Sequence, residues 1–434
     1  MSDQVTNNLL LKGCILTSDS ESRQCDILVR NGIIAEIGES LTSPDNFEVF
    51  HADGLTVSYG LADPHVHFRV PGNPEKETIK TGSEAAAAGG YTAVCTMPNL
   101  IPAPDSEEHI ELQKNLIRKD AIIDVFPFAT ITKERKGREL VDFAALAPLI
   151  VGFSDDGNGV QDDGLMKEAM TRIAEADSIL SAHCEVNELL RGGYIHDGEY
   201  CRLHGHKGIC SESEWRQIER DVRMAADTGC RYHVCHISTK ESVEIIRDAR
   251  KDGVRVSCET GPHYLTFADK DLQEDGRFKM NPPIRSTRDR EALLEGIEDG
   301  TIEVIATDHA PHTADEKSRG LEKSFMGVVG LETAFGACYT ALCLTGIVSI
   351  DKLFSLMGRN ARRIFRLGGE LRVGEPADLT LFDTESIWTV RPELFRTKGR
   401  ATPYQGMKLT GRPVATFFRG RNVYMDKGKN NMTE

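Results

Sequence analysis

Two histidines one residue apart occur in the stretch LADPHVHFRVPGN, which runs from Leu61 to Asn73. In an extended strand the side chains at positions i and i+2 point to the same side, so His65 and His67 would project together. This spacing suits a metal ion such as zinc, although H-x-H pairs also occur in proteins that bind no metal. The pair predicts a metal site if further ligands come from elsewhere in the chain.

Other residues with metal-binding or polar side chains follow apolar runs later in the chain. Besides His65 and His67, they are Asn99, Asp155, Asp156, His183, His236, His263 and Asp308. Imidazole nitrogens and carboxylate oxygens are the ligands of catalytic zinc, which also keeps one position open for water. The histidines and aspartates exceed the needs of one four-coordinate ion, so they predict two metal ions that share a bridging carboxylate.

The elements that must position these residues are short apolar runs, which alternate with helical patterns from about Leu61 to about Leu367. The eight runs are GLADPHVHF, YTAVCTMPN, IIDVFPFAT, LIVGFSDD, SILSAHCE, CRYHVCHIS, VRVSCETGPH and EVIATDHAPH. Alternating strands and helices indicate an α/β protein with a parallel sheet, and eight such units close a (β/α)8 barrel. A doubly wound open sheet is the alternative. The barrel is favoured because its active sites gather at the C-terminal ends of the strands, where these polar residues would converge.

Both ends of the chain have a different character. Residues 1–60 contain short strand patterns and an Asn31-Gly32 dipeptide typical of a hairpin turn, and residues 368–434 contain similar strand patterns. We therefore expect β-rich segments at 1–60 and 368–434 around a barrel at 61–367.

Composition narrows the function. The 434 residues carry a net charge of -15, with 40% hydrophobic and 27% charged residues. A basic face is needed to bind nucleic acid, and no Lys/Arg-rich run is present, so a small-molecule substrate is expected. The start of the chain lacks a secretory pattern, and no run of eighteen apolar residues occurs, so we expect a cytoplasmic protein without a membrane anchor. The eleven cysteines include no C-x-x-C pair, which favours reduced thiols.

A family resemblance is carried by seven motifs in a fixed order. They are DPHVHFRVPG, GYTAVCTMPN, GFSDDG, AHCE, HVCHISTKES, KMNPPIR and IATDHAPH. Together they resemble the motif set of the amidohydrolase superfamily, and closely that of the class I dihydroorotases of pyrimidine biosynthesis. The resemblance covers essentially the whole chain. It implies a TIM-type barrel with a small composite β-sandwich domain formed by the N- and C-terminal segments.

The resemblance also implies a role for individual residues. His65, His67 and Asp308 would bind one zinc ion, His183 and His236 the second, and Asp156 would bridge the two. Arg69, Asn99 and His312 would take the substrate carboxylate, Asn281 would lie against the pyrimidine ring, Met326 and Gly327 would supply backbone contacts, and His67 would also touch the substrate.

The chemistry of the implied reaction fits these side chains. Dihydroorotate is a cyclic amide that bears a carboxylate, and a planar guanidinium such as that of Arg69 can bind a carboxylate through two parallel hydrogen bonds. Asp308 would act as the catalytic base during attack of water and then as the acid that protonates the leaving nitrogen. In the biosynthetic direction the same groups would close N-carbamoyl-L-aspartate to dihydroorotate.

Several alternatives remain open. Allantoinase and hydantoinase or dihydropyrimidinase-type cyclic amidases share the histidines, but they resemble one another in using a carboxylated lysine as the bridge, and GFSDDG contains no lysine. An inactive homologue that acts as a structural partner of aspartate transcarbamoylase would have lost ligands, whereas this chain retains them. A homodimer, an association with aspartate transcarbamoylase, the occupancy of the second metal position and a lid role for residues 309–327 stay undecided at this point.

Overall fold

A computed structural model describes residues 7–18, 21–426 and 432–433 of the chain. The strands are β1 (Leu9–Thr17), β2 (Ser22–Arg30), β3 (Ile33–Gly38), β4 (Glu48–His51), β5 (Thr56–Tyr59), β6 (Leu61–Val66), β7 (Tyr91–Thr96), β8 (Asp124–Pro127), β9 (Ile179–Ala182), β10 (Ile195–His196), β11 (Gly208–Ile209), β12 (Arg231–Val234), β13 (Val256–Thr260), β14 (Val304–Ile305), β15 (Leu379–Thr389), β16 (Lys408–Phe418), β17 (Arg421–Met425) and β18 (Met432–Thr433). The α-helices are α1 (Ile79–Ala88), α2 (Glu107–Asp120), α3 (Phe143–Leu146), α4 (Asp163–Glu175), α5 (Glu199–His204), α6 (Glu212–Thr228), α7 (Lys240–Lys251), α8 (Pro262–Thr266), α9 (Thr287–Asp299), α10 (Ala314–Lys317), α11 (Gly320–Lys323), α12 (Ala334–Cys338), α13 (Ile350–Phe354) and α14 (Asn360–Phe365).

The middle of the chain forms parallel strands separated by helices. β6, β7 and β8 pair in that order, and β9, β12, β13 and β14 pair in a second group. Every residue of β6 and β7 is buried, which explains why these strands read as nearly continuous apolar runs. The predicted α/β class is confirmed.

The fourth predicted strand is reduced to a short bridge. Phe153 pairs in parallel with Ala129 on one side and with Leu180 on the other, and it thereby connects the two groups of strands. A second bridge, between Val66 and His309, connects the last strand to the first. The run does not continue as a strand after Phe153, and the carboxylate of Asp155 accepts hydrogen bonds from the backbone N–H groups of Ile131 and Thr132 at 2.8 and 3.1 Å.

The helices that separate the strands begin at defined caps and bury one face. Thr78 and Ser286 form capping boxes at the starts of α1 and α9. In α6, Ile218, Val222 and Ala225 are buried at the three- and four-residue spacing of a helix that packs on one side. Each helix therefore returns the chain to the start of the next strand, and the C-terminal strand ends lie at one edge.

Both ends of the chain contribute to one antiparallel-rich sheet. Its path runs β17-β16-β15-β5-β1-β2-β3, with β4 paired to β1 and β18 paired to β4. Asn31 and Gly32, at φ 53° and 79°, make the turn between β2 and β3, which confirms the predicted hairpin. The nine strands are connected by hydrogen bonds into a single sheet. This pairing does not establish the two-sheet sandwich or the segment boundaries at 60 and 367, which stay predictions.

The structure also describes the state of the cysteines and the length of the helices. All eleven cysteines are free, and nine of them are buried. Among the described residues, no helix is both long enough and apolar enough to cross a bilayer.

Candidate metal centre and active site

The six predicted metal ligands lie together at the C-terminal ends of the parallel strands. They are His65 in β6, His67 just after it, Asp156 beyond the Phe153 bridge, His183 after β9, His236 after β12, and Asp308 after β14. All six side chains are buried. Parallel strands thus bring to one place residues that are up to 243 positions apart in the sequence.

His65, His67 and Asp308 form one group of candidate ligands. Nε2 of His67 lies 3.0 Å from Oδ1 of Asp308, and Nε2 of His65 lies 3.6 Å from the same oxygen. Asp156 faces both histidines, with its oxygens 3.3 Å from Nε2 of His65 and 3.5 Å from Nε2 of His67. One ligand atom from each of His65, His67 and Asp308 can approach a common centre.

His183 and His236 form the second group, again with Asp156. Nδ1 of His183 lies 3.1 Å from Nε2 of His236 and 3.9 Å from Oδ1 of Asp156. Nε2 of His236 lies 3.7 Å from the same oxygen. Asp156 therefore stands between the two groups: Oδ1 faces His65 as well as both histidines of the second group, and Oδ2 faces His67.

Buried atoms without partners show that this donor set fits metal ions. Nε2 of His65 and Oδ1 of Asp156 form no hydrogen bond of normal geometry, although both are fully buried. Such atoms carry a desolvation cost unless they bind something. Four imidazoles and two carboxylates around these atoms are the ligand types of zinc.

Charge concentrates at the carboxylates of the centre. Burial alone would raise the pKa of Asp308, but the hydrogen bond from His67 and the nearby histidine charges hold it well below its usual range. The pKa of Asp156 is likewise lowered, against the effect of burial, by His65 and His236. Both carboxylates are therefore anionic at neutral pH and suited to a cation.

Two of the candidate ligands have a strained backbone. His236 and Asp308 have φ values of 34° and 45°, in the left-handed region that non-glycine residues rarely adopt. Strain of this kind persists where the surrounding structure holds it, and it clusters at functional sites. The left-handed backbone directs both side chains into the centre at the strand ends.

A cavity of about 250 Å³ opens beside the ligands and contains the predicted substrate residues. Its lining consists of His67, Arg69, Asn99, Asp156, Gly157, His183, His236, Asn281, Asp308, Ala310, His312, Met326 and Gly327. The cavity is thus lined by every predicted substrate residue and by all predicted ligands except His65, whose side chain is fully buried.

Arg69 and Asn99 are poised to bind an anion in this cavity. Arg69 is buried, its Nε donates to the carbonyl of Pro311 at 3.3 Å, and its terminal nitrogens make no hydrogen bond in the described part of the chain. Burial lowers the pKa of Arg69 to about 10, which leaves it charged at neutral pH. Oδ1 of Asn99 lies 2.8 Å from Nδ1 of His67, so the carbonyl accepts there and the amide N–H groups remain for another acceptor.

His312 is less available than the sequence suggests. Its Nε2 donates to the carbonyl of Met326 at 2.8 Å, and Nδ1 lies 3.3 Å from Glu316. Burial, with the positive charges of Arg69 and two lysines, lowers the pKa of His312 to about 3. A neutral His312 can meet a substrate carboxylate only if that group replaces the carbonyl of Met326.

Buried carboxylates behind the ligands escaped the sequence interpretation. Glu259 lies 2.7 Å from Nδ1 of His65, and Asp63 accepts hydrogen bonds from the backbone of His65 and from Thr307, beside Asp308. The available signal was an acidic residue within an apolar run, as in VRVSCETG and GLADPH.

A second H-x-H pair, His204 and His206, lies away from the metal centre. His206 contacts Tyr194 and Glu274 instead.

Comparison with solved structures defines the class of protein. L-Hydantoinase (dihydropyrimidinase) from Arthrobacter aurescens superposes with a TM-score of 0.86 at 26% sequence identity, over 96% of each chain. D-Hydantoinase (dihydropyrimidinase) from Thermus sp. gives a TM-score of 0.83 at 23% identity, over 96% of this chain and 95% of that one, a likeness of fold alone. This chain therefore shares its fold with hydantoinases, which are cyclic amidohydrolases.

Comparison of sequences identifies the family within that class. A family model described as dihydro-orotase-like matches residues 54–242. The dihydroorotase of Fusobacterium nucleatum is 46% identical over 98% of this chain and 100% of its own length, and that of Bacillus subtilis is 46% identical over 96% of this chain and 98% of its own. The chain belongs to the dihydroorotase family.

Proposed function

We propose that this protein is a zinc-dependent dihydroorotase that interconverts N-carbamoyl-L-aspartate and dihydroorotate in pyrimidine biosynthesis. The observation that carries the proposal is the cavity in which the buried guanidinium of Arg69 lies with two carboxylates and three histidines of the ligand cluster, its terminal nitrogens free of hydrogen bonds to the described residues. A cyclic amide with one carboxylate matches that arrangement, since the carboxylate meets Arg69 and the amide meets the cluster.

Two zinc ions would be held by residues of this chain. His65, His67 and Asp308 would bind the first, His183 and His236 the second, and Asp156 would bridge them. When bound, zinc supplies Lewis acidity, which makes water a competent nucleophile at neutral pH and polarises the amide carbonyl. Two divalent cations are offset in part by Asp156 and Asp308, which limits the charge to be buried.

Arg69 and Asn99 would orient the substrate. The guanidinium of Arg69 can form two parallel hydrogen bonds with the substrate carboxylate, and the free amide N–H of Asn99 can add a third. Met326 and Gly327 also line the cavity, and Asn281 lies beside His183, with Nδ2 3.5 Å from its Nε2. The reacting carbonyl would thereby face Asp308 and the cluster.

Asp308 would move the proton. The Asp308 carboxylate is anionic at neutral pH, so it can accept a proton from the attacking water and then deliver that proton to the ring nitrogen as the C–N bond breaks. In the reverse direction Asp308 takes the proton from the carbamoyl nitrogen as the C–N bond forms and passes it to the departing oxygen. That oxygen leaves as water, because the substrate carboxylate takes up one further proton from solution. One carboxylate thus serves as base and acid.

We further infer that the parallel strands close into an eight-stranded barrel. The support is the pairing pattern, since Phe153 joins β8 to β9 and the Val66–His309 bridge joins the last strand to the first. The β-sandwich domain, the cytoplasmic location, a homodimer and an association with aspartate transcarbamoylase stay predictions.

The second candidate function is a hydantoinase-type activity, which the likeness to the L-hydantoinase of Arthrobacter aurescens favours. Hydantoin lacks the carboxylate that Arg69 would bind, and the bridging position of this chain is Asp156 rather than a lysine. We therefore place this candidate second.

One experiment tests the proposal directly. Purified protein is assayed for zinc content and for turnover of dihydroorotate, hydantoin and allantoin, beside His65→Ala as a control that lacks one ligand. We expect bound zinc, turnover of dihydroorotate far above the other two, and loss of activity with the fold retained in His65→Ala. Near-normal activity in a folded, zinc-poor His65→Ala protein would end the metal hypothesis, and preference for hydantoin would move the protein to the second candidate.

A further inference from the structure

Glu259 is a buried carboxylate directly behind the candidate ligand His65. It lies in β13, and its two oxygens face two different histidines: Oε1 is 2.7 Å from Nδ1 of His65, and Oε2 is 3.1 Å from Nε2 of His233. All three side chains are fully buried. We infer that Glu259 is a positioning residue that fixes the imidazole of His65 for metal binding, an inference that rests on the proposed zinc site.

The contact assigns the two nitrogens of His65. An ionised carboxylate only accepts hydrogen bonds, so Nδ1 of His65 carries the hydrogen and donates it to Glu259. In the neutral imidazole, the form that binds a metal, the lone pair is then on Nε2, which lies 3.3 Å from Asp156 and 3.6 Å from Asp308. A carboxylate behind a ligating histidine fixes the ring orientation and makes the imidazole a better ligand.

Glu259 is itself held in place from its far side. Nε2 of His233 donates to Oε2 of Glu259, so Nδ1 of His233 accepts from the hydroxyl of Ser257 at 2.8 Å. The His233 ring packs edge to face against Phe365, with centroids 4.9 Å apart. The carboxylate therefore cannot rotate away from His65 without breaking a second hydrogen bond in the buried interior.

The other three candidate histidine ligands have different groups behind them. Nδ1 of His67 faces the neutral amide of Asn99, and Nε2 of His183 is 3.8 Å from Glu185, beyond hydrogen-bond distance. Nδ1 of His236 has no hydrogen-bond partner among the described residues. A short, fully buried carboxylate contact thus distinguishes His65 from them, and its loss should act on metal binding through that one ligand.

The test is zinc affinity in Glu259→Gln, which keeps the shape of the side chain and removes its charge. Asp221→Asn is the matched control, since Asp221 is also a buried carboxylate, hydrogen-bonded to Tyr232 at 3.0 Å, but touches none of the six ligands. We expect zinc to bind about 10- to 100-fold more weakly in Glu259→Gln, measured by competition with a chromogenic chelator. The visible spectrum of the cobalt-substituted protein should change in parallel, whereas Asp221→Asn should match the native protein in both measurements.

A second variant, His233→Gln, tests the same inference if Glu259→Gln does not fold. His233→Gln leaves the contact between Glu259 and His65 in place but removes the imidazole that holds the carboxylate, and we expect a smaller loss of zinc affinity, about two- to fivefold. Unfolding of the metal-free proteins reports the structural effect separately.

The outcomes separate this inference from the proposed function. Folded Glu259→Gln that binds zinc as tightly as Asp221→Asn would overturn the positioning role, as would unchanged affinity in His233→Gln if Glu259→Gln does not fold. If His65→Ala loses zinc while Glu259→Gln keeps it, only the positioning role fails. If His65→Ala also binds zinc like the native protein, the proposed metal site itself fails.

Discussion

Replacing Arg69 by Met tests the substrate assignment most directly. The Arg69 side chain is 9% exposed, and its charge lies in a cavity of about 250 Å³ that also holds Asp156 and Asp308. A substrate carboxylate bound there would lose its water and depend on the guanidinium. Removing one partner of a buried hydrogen-bonded charge pair costs about 2–5 kcal/mol, so kcat/KM for dihydroorotate should fall about 30- to 5,000-fold.

The assay compares two substrates, dihydroorotate and hydantoin, and two variants, Arg69→Met and Arg69→Lys. Ring opening of dihydroorotate is followed by ultraviolet absorbance at several substrate concentrations, with zinc content measured on the same samples. Arg69→Lys is the matched variant: it keeps the charge but loses the planar fork, so its loss should be intermediate. Any slow turnover of hydantoin, which lacks a carboxylate, should change little. Normal dihydroorotate turnover by a zinc-replete Arg69→Met protein would refute the reasoning and make an uncharged cyclic amide the better substrate.

Three other outcomes follow from the same geometry. Asp308→Asn keeps an oxygen as a weak ligand but cannot carry the proton, so kcat should fall much more than substrate affinity, and an unchanged rate and pH profile would assign proton transfer to another group. An Asp156 bridge between metals needs no added carbon dioxide, so metal-free protein should regain full activity with zinc in buffer stripped of carbon dioxide. The Asp156→Ala variant should lose both activity and the second metal. A requirement for bicarbonate would contradict this. Burial raises the pKa of Glu332 from 4.5 to about 7, so the folded state holds a proton that the unfolded chain releases. Its contribution to stability is therefore present below about pH 4.5 and is lost as the pH rises through 7. The unfolding free energy should change by about 3 kcal/mol over this range, and by less in Glu332→Gln. Equal pH dependence in both proteins would rule this out.

Much of the candidate site could be predicted because short sequence patterns show both where each strand ends and which side chains follow it. His65 and His67 share a strand face through their i, i+2 spacing, and Asp156, His183, His236 and Asp308 each follow an apolar run. Parallel strands place all such ends on one edge, so local patterns were enough to predict that these residues meet. The predicted fourth strand is longer than the observed one, because a contact between distant segments replaces it. The carboxylate of Asp155 binds the backbone at Ile131 and Thr132, and no local sequence pattern contains that contact.

The sequence by itself determined the α/β class, the hairpin at Asn31-Gly32, and the ligand types gathered at the strand ends, because periodicity and turn chemistry act between near neighbours. Only the tertiary structure decided which groups stand behind the ligands. Glu259 meets His65 across 194 positions, and His312 gives its Nε2 hydrogen to Met326. The left-handed backbone at His236 and Asp308 is likewise imposed by the surrounding packing. Such contacts depend on distances between distant segments, which arise only when the whole chain is folded.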